Sequence, residues 1–277
     1  MTGNMNPIII SADDFAQSAA IDTAIIALIQ QKRLSATSCL TLSPRWLEAA
    51  KLITPKIRQL ADIGLHLDFT QFAQTARKPL GVLIVRSLMR SLSKKVITAN
   101  IHQQLDQYEL ALGTAPDYVD GHQHVHQLPQ IRDALLETGI KRYGTQLPWI
   151  RIAAPPVQFG FKGQVIRLLG SAALKKKAKA LGLKHTTQLL GVYGFDGNIS
   201  DYCANFEHWL NYAQHASPNQ RIALMCHPAI DSAAKKSDID DPILNARIRE
   251  YDFFTSKDFS ELLAQHQLSP SRGSHFL

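Results

Sequence analysis

Pro7-Ile8-Ile9-Ile10-Ser11-Ala12-Asp13-Asp14 is an apolar, β-branched run that stops abruptly at two carboxylates. A continuous apolar run suits a strand buried on both faces, as in a parallel sheet covered by helices. The next segment supports that reading. From about Ser18 to Lys32, Ile21, Ile25, Leu28 and Ile29 recur at helical spacing, and Ser18 is placed to cap the first turn. A second strand is expected over Thr37 to Leu42. Ser43-Pro44 is then expected to open a helix, with proline at the first position, where its missing N–H costs nothing.

The alternation continues outward from this start. Asp62 to Leu67 reads as a strand, about Ile97 to Leu112 as a helix, and Tyr118 to Asp120 as a strand. Pro129 starts a helix over Gln130 to Thr138, Ile222 to Cys226 is a late apolar strand, and Leu262 to Gln265 lies in a last helix. Strands alternating with helices predict an α/β fold, a distorted (β/α) barrel of mainly parallel strands with helices outside. The chain of 277 residues can bury such a core, and no low-complexity linker divides it, so one domain over 1–277 is expected. Two stretches rich in lysine and arginine, around 70–95 and 149–183, fit the alternation poorly. They read as insertions on the scaffold, of the kind that serves a substrate.

Composition narrows the classes. With 45% hydrophobic and 19% charged residues this is the profile of a soluble globular protein. A net charge of +7 suits an anionic partner such as a membrane surface, nucleic acid or acidic glycan, and serves solubility equally well. Cys39, Cys203 and Cys226 are odd in number, far apart and without a CxxC pair, so a reducing, cytoplasmic setting is expected. Met1 to Pro7 is polar and is followed by only three isoleucines before charge returns, too short for a signal peptide or membrane span. Aromatic and basic residues are not interleaved and no helix-turn-helix signature stands out, so a nucleic-acid partner is not expected. The sequence leaves room for a homodimer and for contact with a membrane surface.

The chemistry is concentrated at strand ends. Asp13 and Asp14 close the first strand, His66 the third, Asp120 and His122 follow another, and His227 follows Ile222 to Cys226. In a parallel barrel all these ends open on one face, where active sites are built. Alone, an Asp pair is often a helix cap, and a histidine inside Gly64-Leu65-His66-Leu67 a satisfied core residue. The cluster Asp120-Gly121-His122-Gln123-His124-Val125-His126 is more specific, and an extended chain would put Asp120, His122, His124 and His126 on one side. One anionic oxygen and two imidazoles can hold a divalent ion with positions left open. Such an ion lowers the pKa of bound water to about 7 and polarises a carbonyl. A further carboxylate can take the water's proton, and a histidine can protonate a departing nitrogen. Phosphoesterases and amidohydrolases also use His-x-His with Asp, but tend to carry His-x-His at the first strand, where this chain has its Asp pair.

Ser11-Ala12-Asp13-Asp14-Phe15, Gly64-Leu65-His66-Leu67-Asp68, the histidine cluster followed by Pro129, and Met225-Cys226-His227-Pro228-Ala229 together resemble the YdjC/ChbG-like carbohydrate deacetylases, related in logic to the NodB-type polysaccharide deacetylases. The resemblance spans nearly the whole chain. It implies a distorted barrel, one divalent metal ion (magnesium or zinc) and removal of N-acetyl groups from amino sugars such as chitooligosaccharides. By position, it implies Asp14, His66 and His122 as metal ligands, Asp13 as general base and His227 as general acid. Asp120, His124 and His126 fall to substrate binding or to support of the ligands. The chain departs from the family at Ala16, usually Gly, at Asp22, often Asn, and at Gly121 and Gln123, often Ser and His. These changes spare the implied ligands and leave the particular sugar open.

Overall fold

A computed structural model describes residues 5–217, 219–231 and 241–277; Met1 to Asn4 of the polar N-terminal stretch lie outside the described residues. Its spine is β1 (Asn6–Phe15), whose residues from Ile8 onward are all buried. Around it lie β2 (Ala36–Cys39), β3 (Asp62–Leu67), β4 (Tyr118–Gly121), β5 (Trp149–Ile150), β6 (Gln188–Leu190), β7 (Ile222–Cys226) and β8 (Leu268–Pro270). Every pairing among them is parallel, in the order β5-β4-β3-β2-β1-β7-β6, with β8 on the first residues of β1. Ile150 donates to the Lys184 carbonyl and accepts from Thr186, which draws the β5 edge toward β6 and curls the sheet into a distorted barrel.

The helices are α1 (Ala19–Gln30), α2 (Trp46–Ala49), α3 (Pro55–Leu60), α4 (Leu80–Leu88), α5 (Lys94–Leu112) and α6 (Pro129–Tyr143) in the first half. The second half adds α7 (Gly160–Leu168), α8 (Ser171–Ala180), α9 (Ile199–Gln214), α10 (Leu244–Thr255), α11 (Lys257–Gln265) and α12 (Gly273–Phe276). Ser18 caps α1 as the sequence predicts, its hydroxyl accepting from the Ile21 N–H. The period of two along β1 divides the core. Ile8, Ile10 and Ala12 pack in the helix layer, while Ile9 faces the barrel interior with Ala36, Tyr118, Trp149 and Met225. Each fully buried isoleucine contributes about 1.5–3 kcal/mol. Gly64 is needed for that interior: a Cβ there would sit 2.5 Å from the Tyr118 ring, which stacks on Trp149 at 4.3 Å.

Four expectations are corrected. Ser43-Pro44 does not open a helix. The Ser43 hydroxyl donates to the Ala16 carbonyl and accepts from the Arg45 N–H, making a turn, and α2 starts only at Trp46. In this part of the chain the proline at a helix start is Pro55 of α3, behind the Thr54 cap. Leu262 to Gln265 is not in the last helix, because β8 and α12 follow. The histidine cluster is not extended: His122–Gln127 forms 3-10 turns, with Gln123 and His124 in left-handed conformation (φ 52° and 60°). The stretch read as an insertion from 149 onward begins with a barrel strand, β5, and only then leaves the sheet.

Candidate active site

The ends of β1, β3, β4 and β7 meet at the barrel mouth. Alternation along β1 sends Asp13 inward, after Ile9 and Ser11, and would send Asp14 out into the helix layer. The strand slips register against β2 between Ala12 and Phe15, and Asp14 adopts φ 66°. This bulge turns both carboxylates toward the mouth. Aspartate tolerates the left-handed region better than most residues, at a cost of about 1–2 kcal/mol. Ala16 is also left-handed, with φ 76°, which accounts physically for glycine suiting this position. Here the Asp22 carboxylate accepts from the Ala16 N–H at 2.6 Å and pairs with Arg45 at 3.0 Å, fixing the turn without glycine.

His66 and Asp120 are paired residues of β3 and β4, so the ladder itself sets them side by side. His66 Nδ1 lies 2.6 Å from Asp120 Oδ1 and 3.0 Å from the Ser38 hydroxyl, which leaves Nε2 aimed at Asp14 Oδ1, 3.3 Å away. His122, in the first turn after β4, places Nδ1 3.0 Å from the same oxygen. Asp14, His66 and His122 thus offer three ligand atoms within 4.8 Å of one another. Asp13, His66 and Asp120 form a second such group, but the Arg151 guanidinium already bonds both of its carboxylates, at 2.6 and 2.7 Å. A cation there would meet a guanidinium on both carboxylates, whereas Arg247 pairs with Asp14 through Oδ2 and leaves Oδ1 facing the two imidazoles. The first group therefore fits a divalent ion, and Asp120 fits the orienting role that metal-bound histidines use.

The electrostatics follow from burial opposed by these contacts. Burial alone would raise Asp14, but Arg247 and then His122 hold its carboxyl well below the usual range. His66 would be depressed by burial, yet Asp120 and Asp13 carry it up to about 10. His227 is pushed down to about 4 by burial, with Asp13 and Asp14 only partly opposing. Its Nε2 lies 3.9 Å from Asp13 Oδ2, and its ring meets Phe195 edge-on at 5.2 Å between centroids.

The other cluster histidines are placed differently from His122. His126 is buried and donates from Nε2 to the Arg151 carbonyl at 3.0 Å; burial lowers it to about 4. His124 sits half-buried at the left-handed position, its pKa lowered well below normal by burial and then by His126. Asp13, Asp14, His66, Asp120, His122 and His227 converge, whereas His124 and His126 do not join the ligand set.

Sequence reasoning missed three charged residues. Arg151, just after β5, joins Asp13 to Asp120; its signal was a lone arginine inside the apolar run Trp149 to Pro156. Arg247 and Glu250, on α10, gave none, since charges on a helix normally face water. Arg247 bridges Asp14 Oδ2 at 2.7 Å and Asp241 at 2.6 Å. Glu250 accepts from the His227 N–H and, at 2.6 Å, from the Tyr193 hydroxyl. Burial raises it to about 7.

A parallel α/β barrel with a histidine–aspartate cluster at the C-terminal mouth defines the class of protein. The YdjC-like protein family model matches residues 7–265, and the chain belongs to that family. A mouse protein called carbohydrate deacetylase is 25% identical over 159 residues, 51% of this chain and 50% of that one. The chain thus spans about half the length of the curated relative it matches. Among solved structures, a candidate cellobiose-phosphate cleavage protein from Enterococcus faecalis V583 is similar with a TM-score of 0.69 and 17% identity, covering 98% of both chains. An uncharacterized protein from Agrobacterium tumefaciens C58 superposes with a TM-score of 0.57 and 12% identity, over 100% of this chain and 91% of that one. At these identities the two structures establish the fold.

Proposed function

We propose that this chain is a metal-dependent hydrolase that removes N-acetyl groups from an amino sugar or oligosaccharide, of chitooligosaccharide or lipid-linked type. The observation that carries the proposal is Asp14 Oδ1 standing between two imidazole nitrogens, His66 Nε2 and His122 Nδ1, beside a second carboxylate, Asp13, that Arg151 withholds from a cation. Family membership and the name of the mouse relative favour the carbohydrate amide over a phosphate ester. Unpaired Cys39, Cys203 and Cys226 favour the cytoplasm, and no described helix is long and apolar enough to cross a membrane.

Asp14, His66 and His122 would hold one divalent ion, magnesium or zinc. When bound, that ion polarises the acetyl carbonyl and makes water more acidic. Asp13 is the general base: fixed by Arg151, it takes a proton from the attacking water. His227 is neutral at rest because of its burial, so it must acquire its proton during turnover. Asp13 Oδ2, 3.9 Å from His227 Nε2, is the nearby source. His227 then protonates the leaving nitrogen, and acetate and the free amine result. Asp120 keeps His66 in the tautomer that presents Nε2. His124 and His126 remain candidates for substrate contact and for bracing Arg151 through its carbonyl.

The test is metal content after dialysis combined with acetate release from N-acetylated chitooligosaccharides, with phosphate esters as controls. His66→Ala and His122→Ala should each lose metal and activity together, because each removes one of three ligands. Full metal occupancy in both variants, or turnover of phosphate esters alone, would refute the proposal.

A further inference from the structure

The basic stretches flanking the barrel mouth share a charge pattern. No acidic residue occurs between Asp68 and Asp106, nor between Glu137 and Asp196. Arg86, Arg90, Arg167, Lys175, Lys176 and Lys179 are exposed there, while Lys94 and Lys177 are paired with Glu137 and Asp133 of α6. The two helices that leave the sheet, α4 and α7, expose apolar stripes as well. On α4, Leu83 and Ser87 face the protein while Val82, Val85, Leu88 and Met89 face water, Met89 at 73%. On α7, Gly163 and Ile166 are buried and Phe161, Val165 and Leu168 project at i, i+4 and i+7, with Phe161 at 81% and Leu168 at 83%. Helical spacing makes each a continuous ridge.

Both helices are tied to the segment that leads into α6. The Gln130 side chain exchanges two hydrogen bonds with the Leu92 backbone just beyond α4, and the Gln127 amide donates to the Ile166 carbonyl on α7. Gly170, left-handed at φ 133°, lets the turn after α7 lie against the Gln127 carbonyl, which a Cβ would approach to 2.1 Å. Both C-terminal ends therefore border the first turn of α6, immediately after the His122–Gln127 turns at the mouth. From α7 a chain of contacts runs inward. Lys162 donates to the Tyr193 carbonyl and lies 4.3 Å above the Phe195 ring, and Phe195 packs on His227.

We infer that α4 and α7 form a docking surface for an anionic lipid bilayer, which the chain meets mouth-first. Clustered apolar side chains at this exposure mark an interaction site. A basic rim around them fits an acidic headgroup layer, with the apolar ridges entering the acyl boundary. A second copy of the chain fits worse, because pairing this face with itself would set one rim with an excess of basic residues against another. Nucleic acid would use the charge and leave the ridges wet. This inference extends the deacetylase reading but does not depend on it, since membrane binding needs neither metal nor turnover.

The experiment is co-sedimentation of the full chain with vesicles of phosphatidylcholine mixed with phosphatidylglycerol, and with phosphatidylcholine alone. A combined Leu88→Ser, Met89→Ser, Phe161→Ser, Leu168→Ser variant and a combined Arg86→Gln, Arg90→Gln, Lys176→Gln variant are compared with the parent. All these side chains are exposed, so circular dichroism and metal content should match the parent. The parent should bind the anionic vesicles, and each variant about tenfold or more weaker. Acetate release from a soluble substrate should be unchanged. Failure of the parent to bind, equal binding to neutral vesicles, or equal binding by both variants would overturn the inference. A dimer in sedimentation that the serine variant abolishes, without vesicle binding, would assign the surface to a second copy instead.

Discussion

Arg151→Met tests the electrostatic frame of the site. Arg151 is 1% exposed at the side chain, and one of its nitrogens bonds Asp13 at 2.6 Å and Asp120 at 2.7 Å. Removing one member of a buried ion pair costs about 3–5 kcal/mol, because the partner is left charged in a poor solvent. The Asp120 carboxyl shows the same balance of burial against charge. Burial would raise it, but Arg151 and then His66 lower it from 3.8 to about 2. A depressed carboxyl stabilises the fold above its unfolded pKa, and that stability is lost as pH falls through about 2; the shift corresponds to about 2 kcal/mol at neutral pH. A loss of about 3–5 kcal/mol is a large share of a domain's usual ~5–15 kcal/mol. Urea denaturation at pH 7 measures it. Adding Asp120→Asn should restore part of the loss, since only Asp13 then remains uncompensated, and Arg151→Lys should fall between parent and Met. A loss below about 1 kcal/mol, or no rescue by Asp120→Asn, would refute the claim that this guanidinium balances two buried carboxylates.

Three further outcomes follow from the site. Asp13→Asn should keep its metal and lose about 10²–10⁴ in kcat, as for a general base that is not a ligand; loss of metal would exchange its role with that of Asp14. His227→Ala should slow substrates with poor leaving amines far more than activated anilides, and equal losses would reduce His227 to a binding residue. Glu250 is raised from 4.5 to about 7, so its contribution to stability is present below pH 4.5 and lost as pH rises through about 7. The stability difference between parent and Glu250→Gln should therefore fall by up to about 3 kcal/mol between pH 5 and 8, and a flat difference would contradict the burial argument.

Most of the barrel was legible because its strands are short apolar runs with polar stops, and Asp62 to Leu67 and Ile222 to Cys226 match their strands residue for residue. Strands β5, β6 and β8 were not read. Two or three residues carry no periodicity, and they are strands only because neighbouring edges complete their hydrogen bonds. The histidine cluster was wrongly read as extended, since left-handed Gln123 and His124 turn the chain and no residue type announces that. The adjacent Asp pair could be seen, whereas the bulge that gives both carboxylates one direction could not. Arg247 was hidden for a different reason. Its meaning depends on a partner, Asp14, that is 233 positions away in the chain.

Helix α10 carries Arg247 and Glu250 one turn apart, the first holding the Asp14 carboxylate and the second the His227 backbone. Two fastenings on one rigid rod cannot be adjusted separately. A small slide or rotation of the helix reaches the Asp14 side and the His227 side of the mouth together. The next turn of the same rod is anchored by Phe253, which packs on Tyr202 at 5.2 Å and Phe206 at 4.8 Å in α9. Sequence drift in that aromatic layer is thereby screened by chemistry as well as by packing. A substitution that the core could absorb still fails if it shifts the rod, so tolerance at Phe253 should be narrower than its distance from the mouth suggests.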